Sequence, residues 1–230
     1  MPKPPRPALT VVGPDPETRF YLRRALERTG EILVLGAADG RLPIELAGMG
    51  RTVVAVEPSA LLRELLEARV RESGARVEGR IRLLADDPRS LTLDAPFGLV
   101  FAPHNALGLA RTREELEAML GTASRHLGPD GLLAFDVRHL VEHAPDPDTG
   151  PHGPVPPARQ PYAPHLRERR PAGARRARSL QRLRSRPLRV GELDRALGAA
   201  GLEATERYAD FLQTPFSSES LLQVVVAHRL

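Results

Sequence analysis

Glu31-Ile32-Leu33-Val34-Leu35-Gly36-Ala37-Ala38-Asp39-Gly40-Arg41-Leu42 is the stretch of this 230-residue chain that decides its fold. Ile32 to Leu35 is apolar without polar alternation, the pattern of a strand buried on both faces. The run stops at Gly36, and a helix is predicted from Leu42 through Ala47. A strand, a turn bounded by glycines and a helix N-terminus bring unpaired backbone N–H groups to one point, where a nucleotide-like ligand can approach. The following run, Thr52 to Val56, ends in Glu57, a carboxylate suited to two ribose hydroxyls. A Gly-xxx-Gly turn by itself is a weak signal, because many parallel sheets need glycine there for geometry alone.

Outward from this unit, strand and helix alternate. Asp15-Pro16-Glu17 reads as a helix start, with Phe20, Tyr21, Leu22, Ala25 and Leu26 as its apolar stripe and Gly30 after its end. A helix over 59–73 carries Leu61, Leu62, Leu65, Leu66 and Val70. Strands are predicted at 81–85, 97–102 and 132–137. Thr112-Arg113-Glu114-Glu115 is a capping box that opens a helix running to Gly128-Pro129. The alternation argues for a parallel sheet covered on both faces. Near the end, Leu193, Ala196, Leu197 and Ala200 form one more helical face. Strand-like runs at 205–211 and 221–227 are close enough for an antiparallel hairpin.

The composition narrows the class. There is no cysteine, so disulfides, thiolate metal sites and a cysteine nucleophile are excluded. His139, His143, His152 and His165 lack ligand spacing, and no metal site is expected. No run reaches transmembrane length, and no signal-peptide core follows the Pro-rich start, so a cytoplasmic protein with no membrane partner is expected. The net charge of +4 is unevenly spread: from Arg159 to Arg189 there are 11 arginines and one acid, Glu168. Three readings stand for that segment: a solvated surface over a ligand site, a surface for an acidic small molecule or protein, and a nucleic-acid contact. Only Tyr162 is interleaved among its arginines, which disfavours base stacking. The expected organisation is an N-terminal arm at 1–14 and a single domain at 15–230, with a Pro- and Arg-rich insertion or lid at about 140–185.

Five β/α units, a last helix and a hairpin resemble the class I S-adenosylmethionine-dependent methyltransferase family. The motifs that carry the resemblance are Leu35-Gly36-Ala37-Ala38-Asp39-Gly40-Arg41-Leu42, Val54-Ala55-Val56-Glu57-Pro58-Ser59, Ala102-Pro103-His104-Asn105-Ala106-Leu107, Leu127 to Asp136, and Tyr208-Ala209-Asp210-Phe211. It implies a Rossmann-like, seven-stranded, mostly parallel α/β sheet with helices on both faces and a C-terminal antiparallel hairpin. It implies S-adenosylmethionine as cofactor and a small-molecule acceptor. The implied cofactor contacts are Leu35, Gly36, Ala37, Ala38 and Gly40 beside the methionine part, Glu57 and Pro58 at the ribose, Asp86 and Asp87 at the adenine, and Ala102 and Pro103 near the transferred methyl. No catalytic residue is assigned; His104 can serve as a base or as a structural hydrogen-bonder, and Asn105 is similar. Asp86 and Asp87 have a turn cap before Pro88 as their alternative role.

Two positions depart from the family pattern. Val34 stands where an acid usually helps hold the methionine ammonium, and Ala38 replaces the middle glycine. Val34→Glu with Ala38→Gly is therefore expected to strengthen cofactor binding, provided the new carboxylate reaches solvent or the ammonium. A catalytically degenerate binding or regulatory protein is the second reading. An RNA or protein methyltransferase and an NAD-dependent oxidoreductase come after it, the last lacking its Gly-x-Gly-x-x-Gly.

Overall fold

A computed structural model describes residues 15–141 and 185–230. The N-terminal arm, and all but the ends of the expected insertion or lid, lie outside the described residues.

Helix α1 (Pro16–Ala25) starts where Asp15 caps it by accepting from the Thr18 N–H at 3.1 Å. Strand β1 (Ile32–Leu35) leads through the glycine turn into α2 (Arg41–Gly48). Strand β2 (Val53–Val56) leads to α3 (Ala60–Glu72), capped by Ser59. A single-turn helix, α4 (Ala75–Glu78), precedes β3 (Ile81–Leu84); nothing in the hydrophobic pattern announces it. Then come β4 (Phe97–Ala102), a 3₁₀ turn (Ala106–Leu109), α5 (Arg113–His126) and β5 (Leu127–Arg138). After the undescribed span follow α6 (Val190–Ala199), β6 (Leu202–Tyr208) and β7 (Leu222–Arg229).

The strands form one seven-stranded sheet in the order β3-β2-β1-β4-β5-β7-β6. The first five pair in parallel, and β7 runs antiparallel to both neighbours. Side chains alternate between faces along each strand. In β1, Leu33 and Leu35 join Val54, Val56 and Val100 in a core with Leu116 and Leu120 of α5 and Leu193 and Leu197 of α6. Ile32 and Val34 join the opposite core with Tyr21 of α1, Leu46 of α2 and Leu66 of α3. That two-sided burial explains why β1 and β2 read as unbroken apolar runs.

Three local expectations shift. Strand β5 begins at Leu127, before the predicted 132, and its register with β4 slips between the Phe97–Leu127 and Leu99–Leu132 pairs, which leaves Gly128 to Gly131 as an irregular step. Strand β6 begins at Leu202, immediately after the Gly201 turn, rather than at 205. Thr112 caps α5 as predicted, accepting from the Glu115 N–H at 3.2 Å. The Glu115 carboxylate, however, reaches the Arg111 N–H at 2.7 Å and the Arg89 guanidinium, so only half of the box forms.

Candidate cofactor and acceptor site

The strand order reverses direction between β1 and β4, and in open α/β sheets ligands bind beyond the C-terminal strand ends at such a point. The glycine turn lies there. The N–H groups of Gly36 and Ala37 donate to the Val56 carbonyl at 2.9 and 3.0 Å, which ties the turn to the end of β2. Gly36 and Gly40 have φ of 79° and 85°, and a Cβ on either would meet Ala106 or Leu66 at 2.9 or 2.6 Å. Both glycines are thus already required by the chain's own packing, apart from any ligand.

Glu57 is 4% exposed, which rules out a solvated strand-end acid. One carboxylate oxygen accepts from the Ala38 N–H at 2.8 Å and the other from the Ser59 N–H at 2.9 Å. Each oxygen keeps a second acceptor direction. Burial pushes the pKa of this carboxyl up, against the pull of those two N–H groups and of Arg63. Glu57 therefore clamps the glycine turn to the start of the loop before α3, beside Pro58, which is exposed.

The other predicted contacts are distributed along the same strand ends. Leu35 and Ala37 are buried core residues. Asp86 is exposed just past β3. Asp87 is taken up by Arg89: it accepts from the Arg89 backbone N–H at 2.9 Å and from its guanidinium, and this pairing holds its pKa below the usual range. That is the turn-cap role. Ala102 and Pro103 are buried at the end of β4. Of the expected set, the structure brings Gly36, Ala38 and Glu57 into direct contact with one another or with their common turn, and leaves Asp86 apart.

Ala38 has φ of 51°, in the left-handed region. That conformation costs ~1–2 kcal/mol with a Cβ, and glycine gives back about 0.5–1 kcal/mol of it as unfolded-state entropy. Ala38→Gly is expected to stabilise the fold by about 0.5–1 kcal/mol, read as a rise in the urea midpoint; a fall would mean that the alanine methyl has a packing role. Val34 is 0% exposed, in the apolar core that holds Phe20, Tyr21 and Phe101. A carboxylate at 34 would be enclosed by hydrocarbon. The structure therefore separates the two changes expected to act together, and only Ala38→Gly keeps its sign.

A polar cluster, of which the sequence singled out His104 and Asn105 but not Glu17 or Asp136, adjoins this turn. Asp136, at the end of β5, is 0% exposed; it accepts from the Tyr21 hydroxyl at 2.8 Å and from the Asn105 N–H at 2.7 Å. The Asn105 side-chain oxygen accepts from the Arg138 N–H at 3.1 Å. His104 Nδ1 lies 2.7 Å from a Glu17 carboxylate oxygen. An acid closing the apolar run Leu132 to Phe135 is the same signal that singled out Glu57, and it would have found Asp136. Glu17 carried no signal beyond a helix start.

Burial works to lower the His104 pKa, but the Glu17 carboxylate, with Asp136 and Asp39 behind it, holds it up to about 9. The charge of His104 in turn acts on Glu57. Because the folded-state pKa is raised, this contribution to stability is complete below about pH 6.5 and is lost as pH rises through about 9. The wild type is expected to lose up to about 3 kcal/mol between those limits, on the order of 1.4 kcal/mol per unit. Urea titrations across that window should show the loss, and His104→Asn should flatten it; an equal slope in both proteins would assign the loss elsewhere.

The far end of the Arg-rich segment is tied to the same region. Arg186 donates from its backbone to the Gly108 carbonyl at 2.8 Å and from its guanidinium to the Ala110 carbonyl at 2.9 Å, and pairs with Glu192 at 2.7 Å. This arginine is engaged in packing; the rest of the segment up to residue 184 lies outside the described residues.

Residues 32–131 match the family model described as a methyltransferase domain. The match spans less than half of the chain, which over those residues is similar to a methyltransferase domain. It is 33% identical over 111 residues to a cypemycin N-terminal methyltransferase of a Streptomyces species, a match covering 48% of this chain and 43% of that relative. The chain spans about half the length of the curated relatives it matches. Among solved structures, the CcbJ methyltransferase of Streptomyces caelestis has a TM-score of 0.69 at 20% identity, covering 95% of this chain and 97% of that one. The glycopeptide N-methyltransferase MtfA with S-adenosylmethionine has a TM-score of 0.66 at 20% identity, covering 99% and 100%. The fold is thereby common to all three. Among the described residues, no helix is long and apolar enough to cross a membrane.

Proposed function

We propose that this protein transfers a methyl group from S-adenosylmethionine to a small-molecule or peptide acceptor. The observation that carries the reading is the contact between Glu57 and the Ala38 N–H, which places an acid with free acceptor directions against the glycine turn at the strand switch point. The residues present fit the cofactor in part. Glu57 would hold the ribose hydroxyls, the Gly36–Gly40 turn would receive the methionine part, and Asp86, free at the end of β3, would face the adenine amino group. The ammonium lacks its usual carboxylate anchor at position 34.

When bound, the cofactor supplies an electrophilic methyl group. The chain's own contribution is to hold ribose and acceptor in line and to keep water away; buried Ala102 and Pro103 form the dry floor for that alignment. The names of the related proteins, an N-terminal methyltransferase and a glycopeptide N-methyltransferase, support a compact or peptidic acceptor over a nucleic acid. Cytoplasmic location belongs to the same reading.

A second reading, a cofactor-binding relative without catalysis, is favoured by the strained Ala38 and by Val34. Calorimetry with S-adenosylmethionine, S-adenosylhomocysteine and NAD tests the proposal: the first two are expected to bind and NAD is not. Absence of heat with both adenosyl ligands would sink it.

A further inference from the structure

The loop after β4 is held in a left-handed backbone arrangement. His104 and Asn105 are consecutive non-glycine residues with φ of 60° and 56°. Such backbone persists only where its surroundings over-determine it, and it gathers at functional sites. Here the surroundings do so. Asp136 fixes the Asn105 N–H, Asn105 fixes the Arg138 N–H, and the Ala106 N–H donates to the Pro103 carbonyl at 3.1 Å. Gly108 packs so closely on the Asn105 side chain that no Cβ fits between them.

The product of this arrangement is a fixed imidazole. His104 Nδ1 faces Glu17 at 2.7 Å, while Nε2 is buried and has no hydrogen-bond partner among the described residues. A carboxylate on one ring nitrogen and a vacant second nitrogen form the arrangement of an oriented base. Glu17 from α1, Asp39 from the glycine turn and Asp136 from β5 act on the charge of His104, and His104 acts on Glu57 at the end of β2. Asp39 is paired with Arg69 and Glu57 faces Arg63, so the acidic surplus around the imidazole comes from Glu17 and Asp136, and it favours a cationic acceptor over an anionic one.

We propose that His104 is the catalytic base, held by Glu17 as its positioning residue, and that the methyl acceptor is an amine that arrives as an ammonium ion. This rests on the methyltransferase reading above. An ammonium nitrogen has no free electron pair. The neutral fraction of His104, small below its pKa of about 9, takes one proton from it at Nε2, and the nitrogen keeps the pair. That pair forms the N–CH₃ bond as the S–CH₃ bond breaks, its electrons remaining on sulfur; the His104 proton then leaves to solvent. The balance is ammonium plus S-adenosylmethionine in, methylated ammonium plus S-adenosylhomocysteine plus one proton out. Pairing with Glu17 brings the basicity of the imidazole close to that of an alkylamine, which favours this exchange.

Sinefungin, which carries an amine where S-adenosylmethionine has its methylsulfonium, probes the position without a known acceptor. Calorimetry in buffers of different ionisation enthalpy counts the protons released at about pH 7.5, where imidazolium and ammonium cannot both stay charged side by side. With the wild type, sinefungin is expected to release about one proton more than S-adenosylhomocysteine. With His104→Asn, chosen because asparagine tolerates positive φ, the excess should vanish while the S-adenosylhomocysteine Kd stays within about threefold. Glu17→Gln should reduce the excess by about half or more, and it decides the matter if His104→Asn does not fold. An undiminished excess in the variants, with S-adenosylhomocysteine still bound, overturns the assignment of His104 and leaves the cofactor reading standing. Failure of the wild type to bind S-adenosylhomocysteine overturns both. In the S-adenosylhomocysteine complex, benzylammonium but not benzoate should shift the His104 ring resonances; an equal response to both, or to neither, overturns the amine assignment.

Discussion

Asp136→Ala is expected to lower the stability of the fold by about 3–5 kcal/mol, among the larger losses a single substitution here can cause. The carboxylate has no exposure, and both its oxygens are in use, by the Tyr21 hydroxyl and by the Asn105 N–H. Alanine leaves those two donors buried without acceptors, at about 1–3 kcal/mol each. The loss has a pH signature. Burial, reinforced by the Glu17 charge and opposed by His104, raises the Asp136 pKa to about 7. The folded wild type therefore binds a proton that the unfolded chain has released, so this site's share of stability is greatest below about pH 4 and declines up to about pH 7. Alanine has no such term, so the gap between the two proteins should narrow across that range. Urea unfolding at several pH values measures it. A difference below about 1 kcal/mol would mean that Tyr21 and Asn105 find other acceptors.

The fold was legible because its decisive signals are local. Apolar runs four residues long, closed by Gly36 or Glu57, are what a doubly covered parallel strand requires, and each proved buried throughout. Capping by Asp15 and Thr112 is equally local, and both act as caps. The site was legible only where one element carries it. The Gly36–Gly40 turn and Glu57 could be read from their strands, but not the clamp between them, because the Glu57–Ala38 bond spans two β/α units. Glu17, Tyr21, His104 and Asp136 come from α1, β5 and the loop after β4, and no spacing along the chain encodes their meeting. The environment of Val34 was illegible for the same reason: Tyr21 and Phe101, which share its core, are contributed by distant elements.

Glu57→Ala is expected to act on both binding and folding, and the two effects can be separated. In the free protein the carboxylate ties the Ala38 and Ser59 N–H groups together at 2.8 and 2.9 Å. Both donors are half-buried, so water replaces part of what is lost, and the stability cost should be about 1–3 kcal/mol. Removing a buried carboxylate whose pKa is raised by desolvation returns a portion of that cost. For binding, the loss of charge-assisted hydrogen bonds to two ribose hydroxyls is worth ~1.5–3 kcal/mol, about ten- to a hundred-fold in the Kd of S-adenosylhomocysteine. Glu57→Gln divides the roles, since the amide keeps one acceptor oxygen for a backbone N–H and presents donors in place of the second oxygen. It should recover part of the stability and less of the affinity. Calorimetry and urea unfolding on the three proteins, at a temperature where all are folded, give both numbers. If affinity is unchanged while stability falls, Glu57 is a structural clamp and the nucleoside is held by other groups.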